Sequence, residues 1–133
     1  MAHFPLELVT PERMMFSAEV QAVRAPGIEG SFGVLAGHAP MLTKLATGLI
    51  KLTQMNGEDA FIATSGGFVQ VTRKKMIILA DSAELSEEID VDRARASADR
   101  ARKLLEVPGV NAEEVRQELD RALNRIHVAQ MHR

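Results

Sequence analysis

Hydrophobic residues change their spacing once along the chain, close to Asp90. From Phe4 to Ala80, short apolar stretches with a period of two alternate with turns that contain glycine or proline, which is typical of β-strands. After Asp90 the apolar positions recur every three or four residues, as in amphipathic helices. The pattern predicts an α+β chain, mostly β, in which a sheet-forming half precedes two helices.

The first half predicts many short strands around one aliphatic core. The pair Asn56-Gly57 indicates a tight hairpin because both residue types tolerate a positive φ, and Ser65-Gly66-Gly67 predicts a further turn. Short strands with regular turns are typical of an antiparallel sandwich or flattened barrel, in which two sheets pack face to face. The predicted strands cover residues 4–9, 14–16, 19–25, 48–52, 60–64, 68–71 and 76–80.

The second half predicts two helices that form an antiparallel hairpin. Val107-Pro108-Gly109 ends the first helix, and Asn111 is a suitable N-cap for the second. Both apolar stripes are narrow and rich in alanine, so the two helices bury little area against each other. We therefore expect a mobile hairpin that leans on the sandwich, a partner or a ligand. The stripes are Val91, Ala94, Ala98, Ala101 and Leu105, then Val115, Leu119, Ala122, Ile126 and Ala129.

Composition excludes several classes of function. The 133 residues carry a net charge of −2, which gives no reason to expect nucleic acid or an anionic membrane surface as a partner. The absence of cysteine excludes disulfides, thiolate nucleophiles and thiolate metal sites. No apolar run approaches the roughly 20 residues that span a bilayer, and the first residues lack the pattern of a signal peptide. These features predict a soluble chain.

Catalysis finds no support in the residue pattern. His38 is the most conspicuous titratable group of the first half, but no nucleophile or orienting acid accompanies it in the sequence. The other histidines are scattered and do not have the spacing of metal ligands. We predict a protein that is not an enzyme and has no metal site.

The junction between the halves has two readings. In the first, Asp90 is an N-cap whose carboxylate accepts amide hydrogen bonds from the first helical turn. In the second, Arg93 and Arg100 share a face of the first helix, and Arg121 and Arg125 share a face of the second. An antiparallel hairpin could bring these arginines together, which would suit a polyphosphate. In that arrangement they would lie beside Asp90 and Glu84. The alternative is a solvated face with ion pairs to Asp92, Glu118 and Asp120.

Three sequence motifs, in their order and spacing, resemble a known family. They are Gly33-Val34-Leu35-Ala36-Gly37-His38-Ala39-Pro40, Ser65-Gly66-Gly67-Phe68 and Ile89-Asp90-Val91-Asp92-Arg93-Ala94, followed near the end by Arg121-Ala122-Leu123-Asn124-Arg125. The ordered set resembles the epsilon subunit of bacterial F-type ATP synthase over essentially the whole chain. The resemblance implies a ten-stranded antiparallel β-sandwich at residues 1–86 and a two-helix regulatory hairpin at residues 87–133.

The resemblance also implies partners and a location. The sandwich would join the gamma subunit to the c-subunit rotor ring, at the cytoplasmic face of the bacterial membrane, with membrane contact only through the complex. The rotor-facing residues implied by the resemblance are Glu29, Gly30, Ser31 and His38.

A conformational switch is implied as well. Members of the family alternate between a compact hairpin on the sandwich and an extended form that reaches the catalytic head and hinders ATP hydrolysis. In the extended form, basic side chains would contact an acidic segment of the beta subunits. The implied partners in the catalytic head are the beta subunits and the alpha subunits. The candidates in this chain are Arg100, Arg102, Lys103, Arg116, Arg121 and Arg125.

Some family members bind ATP on the compact hairpin through a pattern of Ile/Leu-Asp-x-x-Arg-Ala. This chain has the pattern in full at Ile89, Asp90, Arg93 and Ala94, and the supporting positions are Glu84, Arg100, Arg121 and Arg125. The resemblance thus implies ATP as a regulatory ligand that favours the compact form. Two alternatives remain open from the residues: a free-standing ATP-sensing module, and a small hydrolase.

Overall fold

The computed structural model describes residues 2–131, so Met1, His132 and Arg133 lie outside it. A strand-forming part is followed by two helices, as predicted. The strands are β1 (Phe4–Val9), β2 (Met14–Gly27), β3 (Gly30–Leu35), β4 (Met41–Gln54), β5 (Asp59–Val71), β6 (Met76–Ala80) and β7 (Ala83–Leu85). A 3-10 turn (Ser86–Glu88) leads into α1 (Val91–Leu104) and then α2 (Ala112–Ala129).

Three long strands bend and serve both layers of the sandwich. The first half of β2 pairs with β1, whereas its second half pairs with β3 and β4. Likewise β4 and β5 pair twice, at 41–45 with 67–71 and at 47–53 with 59–65. Layer one contains β3, β7 and half of each long strand, and layer two contains β1, β6 and the other halves. Counted by layer, the strands form ten segments, in agreement with the predicted sandwich.

The structure corrects three details of the strand prediction. The separate strands at 14–16 and 19–25 are one continuous β2. Ser65-Gly66-Gly67 lies inside β5 rather than in a turn, and the two glycines bend the strand with φ values of +126° and +135°. The pairing of β1 with β6 is parallel, so the sandwich is not purely antiparallel. β1 and β6 are distant in sequence and meet where the sheet closes, so no hairpin turn dictates their direction.

An aliphatic core fills the space between the layers. Each strand contributes alternate side chains to it, as its period of two predicts. The largest fully buried side chains of this core are Leu6, Leu8, Val20, Val23, Val34, Ile50, Leu52, Ile62, Val69, Met76 and Ile78.

The helical hairpin leans on layer one. Ile89 and the end of α2 form a second apolar cluster with the outer face of β4 and β5. The predicted stripes lie on the buried side of the helices, with Ala94, Ala98, Ala101, Val115, Ala122 and Ala129 buried. Val128 was not part of the predicted stripe, and it is buried because α2 contacts the sandwich as well as α1. The members of the cluster are Leu49, Phe61, Ala63, Ile89, Val91, Val128 and Ala129.

Candidate functional site

A polar cleft of about 520 Å³ lies where the hairpin meets the sandwich. We call it the junction cleft. The strand region, the start of α1 and the middle of α2 each contribute side chains, so the cleft exists only while the hairpin is docked. Its lining residues are Glu84, Glu88, Asp90, Arg93, Ala94, Ser97 and Arg125.

The start of α1 forms one wall of the cleft. Asp90 is the N-cap, and its Oδ1 accepts a hydrogen bond of 3.1 Å from the Arg93 amide. This confirms the capping role predicted for Asp90. Arg93 and Ala94 follow in the first turn, and Ser97 lies one turn further along the same face. The amide groups and dipole of a helix N-terminus favour an anion at this wall.

An ion pair crosses the cleft from α2 to β7. The Nε atom of Arg125 lies 2.8 Å from Oε1 of Glu84. The two side chains are 35% and 41% exposed, so solvent screens the pair and its own contribution to stability is modest. Arg121, one turn before Arg125, lines a small adjoining cavity together with Glu84. Arg121 and Arg125 therefore lie next to each other at the sandwich surface.

The predicted ATP-binding residues do not all lie in the cleft. Ile89 is buried in the apolar cluster under the hairpin. Arg100 is exposed, and its Nη2 donates a hydrogen bond of 3.3 Å to the Ser97 hydroxyl, so it meets the cleft through that side chain. Glu84, Asp90, Arg93, Ala94 and Arg125 line the cleft, and Arg121 adjoins it.

Two of the residues that line the cleft, Glu88 and Ser97, were not predicted from the sequence. Ser97 follows Arg93 by four residues, so helical spacing alone could have placed it on the same face. Glu88 lies in the short 3-10 turn. Such a turn has no repeating pattern in the sequence from which the direction of its side chains could be predicted. With Glu88 included, three carboxylates and two guanidinium groups line the cleft. An anionic ligand must therefore displace or outweigh local negative charge.

Some acidic residues of the hairpin neutralise other arginines. The carboxylate of Asp92 lies 3.9 Å from Arg95, and that of Asp99 lies 3.2 Å from Arg102. Asp92, suggested above as a partner for the clustered arginines, thus pairs within α1. The side chain of Arg93 remains available at the cleft wall.

The residues predicted to face the rotor lie at the two ends of β3. Glu29 is in the turn before β3, Gly30 begins the strand with φ +129°, and the Ser31 hydroxyl accepts a hydrogen bond of 3.4 Å from Arg24. His38 follows the other end of the strand, with Nδ1 2.6 Å from the carbonyl oxygen of Ala39. All four residues are exposed or partly exposed.

The basic residues predicted for the extended form are mostly on the solvent side of the hairpin. Arg121 and Arg125 are the partly buried exceptions, because both face the sandwich. Arg100, Arg102, Lys103 and Arg116 are exposed.

An apolar patch of three side chains lies on the outer face of layer two, interrupted by the exposed Lys44 and Gln70. Phe68 of β5 pairs directly with Leu79 of β6, and Leu42 of β4 lies diagonally across from Phe68. These side chains are 48%, 53% and 72% exposed in that order. The hairpin packs on the other layer and leaves this patch open. Exposed clusters of large apolar side chains commonly mark protein contacts.

Within residues 2–131, acidic and histidine side chains form no group of three suited to a metal ion. None of the described helices is long and apolar enough to cross a membrane.

Comparison with known proteins decides the family. Residues 3–86 match the family described as the ATP synthase delta/epsilon chain, beta-sandwich domain, and residues 87–130 match its long alpha-helix domain. The chain belongs to the delta/epsilon family of ATP synthase subunits. The resemblance to the epsilon subunit and the predicted fold class are thereby confirmed.

Relatives within this family match along nearly the full chain. An ATP synthase epsilon chain of Dehalococcoides mccartyi is 44% identical and covers 100% of this chain and 96% of its own. The epsilon chain of Desulforamulus reducens is 41% identical, with 94% and 96% covered. A chain in the cryo-EM structure of the Euglena gracilis mitochondrial ATP synthase, solved as OSCP, F1 and c-ring, superposes with a TM-score of 0.81 at 26% identity. That alignment covers 99% of this chain and 83% of the other.

Proposed function

We propose that this protein is a non-catalytic central-stalk subunit whose hairpin regulates ATP hydrolysis and is itself controlled by ATP. The observation that carries the proposal is the junction cleft. Residues from the sandwich, α1 and α2 surround one small polar volume, so a ligand bound there would hold the three elements together.

The hairpin has the features of a two-state element. Its contact with the sandwich consists of a small apolar cluster, the Arg125–Glu84 ion pair and a few hydrogen bonds. The main core, which spans Phe4 to Ala80, includes no hairpin residue. Release of the hairpin would therefore leave the sandwich core intact. A switch between a docked and an extended hairpin requires this, because the sandwich must stay folded in both forms.

ATP would bind with its phosphates toward the arginines. The guanidinium groups of Arg93 and Arg125 offer planar donors for phosphate oxygens, and Arg121 and Arg100 stand next to them. Arg125 would exchange the Glu84 carboxylate for a phosphate. Ala94 is small and buried, which lets the adenosine end approach the backbone around Ile89 and Asp90. ATP acts here as a regulatory ligand and not as a substrate.

Such a ligand favours the compact form because the binding residues separate when the hairpin leaves the sandwich. In the extended form the basic residues would meet the acidic segment of the beta subunits. Arg100, Arg121 and Arg125 belong to both sets, so a hairpin that holds ATP would have up to three fewer cations for the catalytic head. The two states would thus compete for the same side chains.

Replacing Arg125 or Arg93 by alanine should raise the Kd for ATP about tenfold. Each arginine would make a charged hydrogen bond to phosphate, which is worth ~1–3 kcal/mol. Calorimetric titration of the full chain with ATP measures the effect. Arg95→Ala is the matched control, because Arg95 is an exposed arginine of the same helix that pairs with Asp92. Equal affinity in the wild type and all three variants would refute the site.

The sandwich would join the gamma subunit to the c-ring at the cytoplasmic face of the membrane. The patch of Leu42, Phe68 and Leu79 is the surface that we assign to gamma, because its three large apolar side chains are exposed and the hairpin leaves them open. The two ends of β3 would face the polar loops of the ring. Membrane association would then be peripheral and would run through the complex.

Leu42→Asp should weaken binding to the gamma subunit by one to two orders of magnitude, since it would bury an unpaired carboxylate in an apolar contact. Surface plasmon resonance with purified gamma measures the Kd. Met55→Asp serves as control because Met55 is an exposed apolar residue in the β4–β5 turn, outside the patch. Equal weakening by both variants would exclude this face. A wild type that binds ATP but not gamma would instead be a free-standing sensor.

A further inference from the structure

Asn124 connects α2 to the backbone of the sandwich. Its side-chain amide nitrogen, Nδ2, lies 2.8 Å from the carbonyl oxygen of Gly48 and 3.4 Å from that of Thr64. Gly48 and Thr64 are paired residues on β4 and β5, so the amide group reaches both strands at one point. The residue is partly buried there.

These hydrogen bonds require a donor group at residue 124, and they also hold α2 in one position on the sandwich. Backbone carbonyls accept but cannot donate, so the contact needs an N–H or O–H donor from α2. A carboxylate in the same place would repel both acceptors. The two carbonyls belong to a closed sheet and are therefore held rigidly. A hydrogen bond to them restricts both the rotation of α2 about its axis and its translation along that axis.

The location of Asn124 links it to the junction cleft. It immediately precedes Arg125 and follows Arg121 by three residues, and it lines the same small cavity as both of them. A helix held at this residue presents both arginines to the cleft, whereas rotation about its axis would carry them away together. The Arg125–Glu84 pair alone is partly exposed and leaves the helix freer to move.

We propose that Asn124 is a positioning residue that holds α2 against the sandwich and thereby shifts the equilibrium between the docked and the released hairpin toward the docked form. The inference rests on the proposed function, since it requires that release of the hairpin inhibits hydrolysis. It adds a residue outside the ATP-binding set, one that would act by holding the protein's own backbone and not by touching the ligand.

Amide hydrogen exchange on the full chain without ATP tests directly whether Asn124 holds α2 against the sandwich. Asn124→Asp and Asn124→Leu both remove the donor, and only the first adds charge. Exchange of α2 amides should become about tenfold faster in both variants, while the β1 and β6 amides of the sandwich keep the wild-type rate. Gln117→Glu is the control, because it makes the same amide-to-carboxylate change at an exposed position of α2. Wild-type rates for α2 in both Asn124 variants would overturn the proposal.

A second readout distinguishes a residue that holds the hairpin on the sandwich from one that only stabilises the folded hairpin itself. In the reconstituted complex, both Asn124 variants should hydrolyse ATP severalfold more slowly than wild type, because more hairpins are extended and intact. Faster hydrolysis would mean that the hairpin has lost its structure, and it would overturn the proposed role. ATP added to the isolated wild type should slow α2 exchange. Absence of that slowing would count against the ATP site itself and leave the exchange result on Asn124 to stand separately.

Discussion

Gly67→Ala is expected to lower the free energy of unfolding by about 4 kcal/mol or more, which places it among the most damaging single substitutions. Gly67 lies in β5, where the strand passes from one layer to the other, with φ +135°. A Cβ at this position would overlap the carbonyl oxygen of Leu79 and lie 2.9 Å from the Ala80 Cα. Both neighbours are backbone atoms of the paired strand β6, so relief would require the sheet itself to shift.

Gly30→Ala separates the steric effect from backbone strain. Gly30 has a similar φ of +129°, but a Cβ there would meet nothing within 4 Å. This control should lose only the cost of the unfavourable dihedral, ~1–3 kcal/mol. Urea denaturation followed by circular dichroism compares the two variants. Equal losses would show that the close approach of β5 to β6 is less tight than the geometry indicates.

Removing the chain from residue 90 onward should leave a folded sandwich that still binds gamma, and should raise ATP hydrolysis by the complex severalfold. The core cluster from Phe4 to Ala80 contains no residue of the removed segment, so its packing stays complete. The cut exposes Leu49, Phe61 and Ala63, which costs solubility more than stability. Under the proposed function, hydrolysis should rise because no hairpin remains to enter the catalytic head.

The truncated protein and the Asn124 variants should change hydrolysis in opposite directions. The truncated protein would lose the proposed inhibitory hairpin, whereas the Asn124 variants would release it more often. ATPase assays on complexes reconstituted with each protein measure the difference, and Gln117→Glu provides the full-length reference. Loss of gamma binding on truncation would show that the helices take part in assembly. Unchanged hydrolysis would locate inhibition elsewhere in the complex.

The change of architecture near Asp90 could be predicted from the order of residues alone. Periodicity is a local property, so the strands around Leu6 and Ile78 and the buried alanines of α1 follow from residue spacing alone. Capping is local as well, since the Asp90 and Asn111 side chains bond to amides three residues ahead. Of the four arginines that helical spacing suggested for the junction, Arg93 and Arg125 line the cleft, whereas Arg121 adjoins it and Arg100 meets it through Ser97.

The way in which distant segments meet, by contrast, depends on how the whole chain packs. Closure of the sheet brought β1 beside β6 in a parallel pair and turned Gly66-Gly67 from an apparent turn into a bend within β5. Docking of α2 buried Val128 and directed Asn124 to two backbone carbonyls. The β1–β6 pairing and the Asn124 hydrogen bonds join residues 60 or more positions apart, and they end on backbone atoms, which leave no pattern in residue type. Local spacing therefore predicts the elements, whereas closure and docking decide which side chains meet.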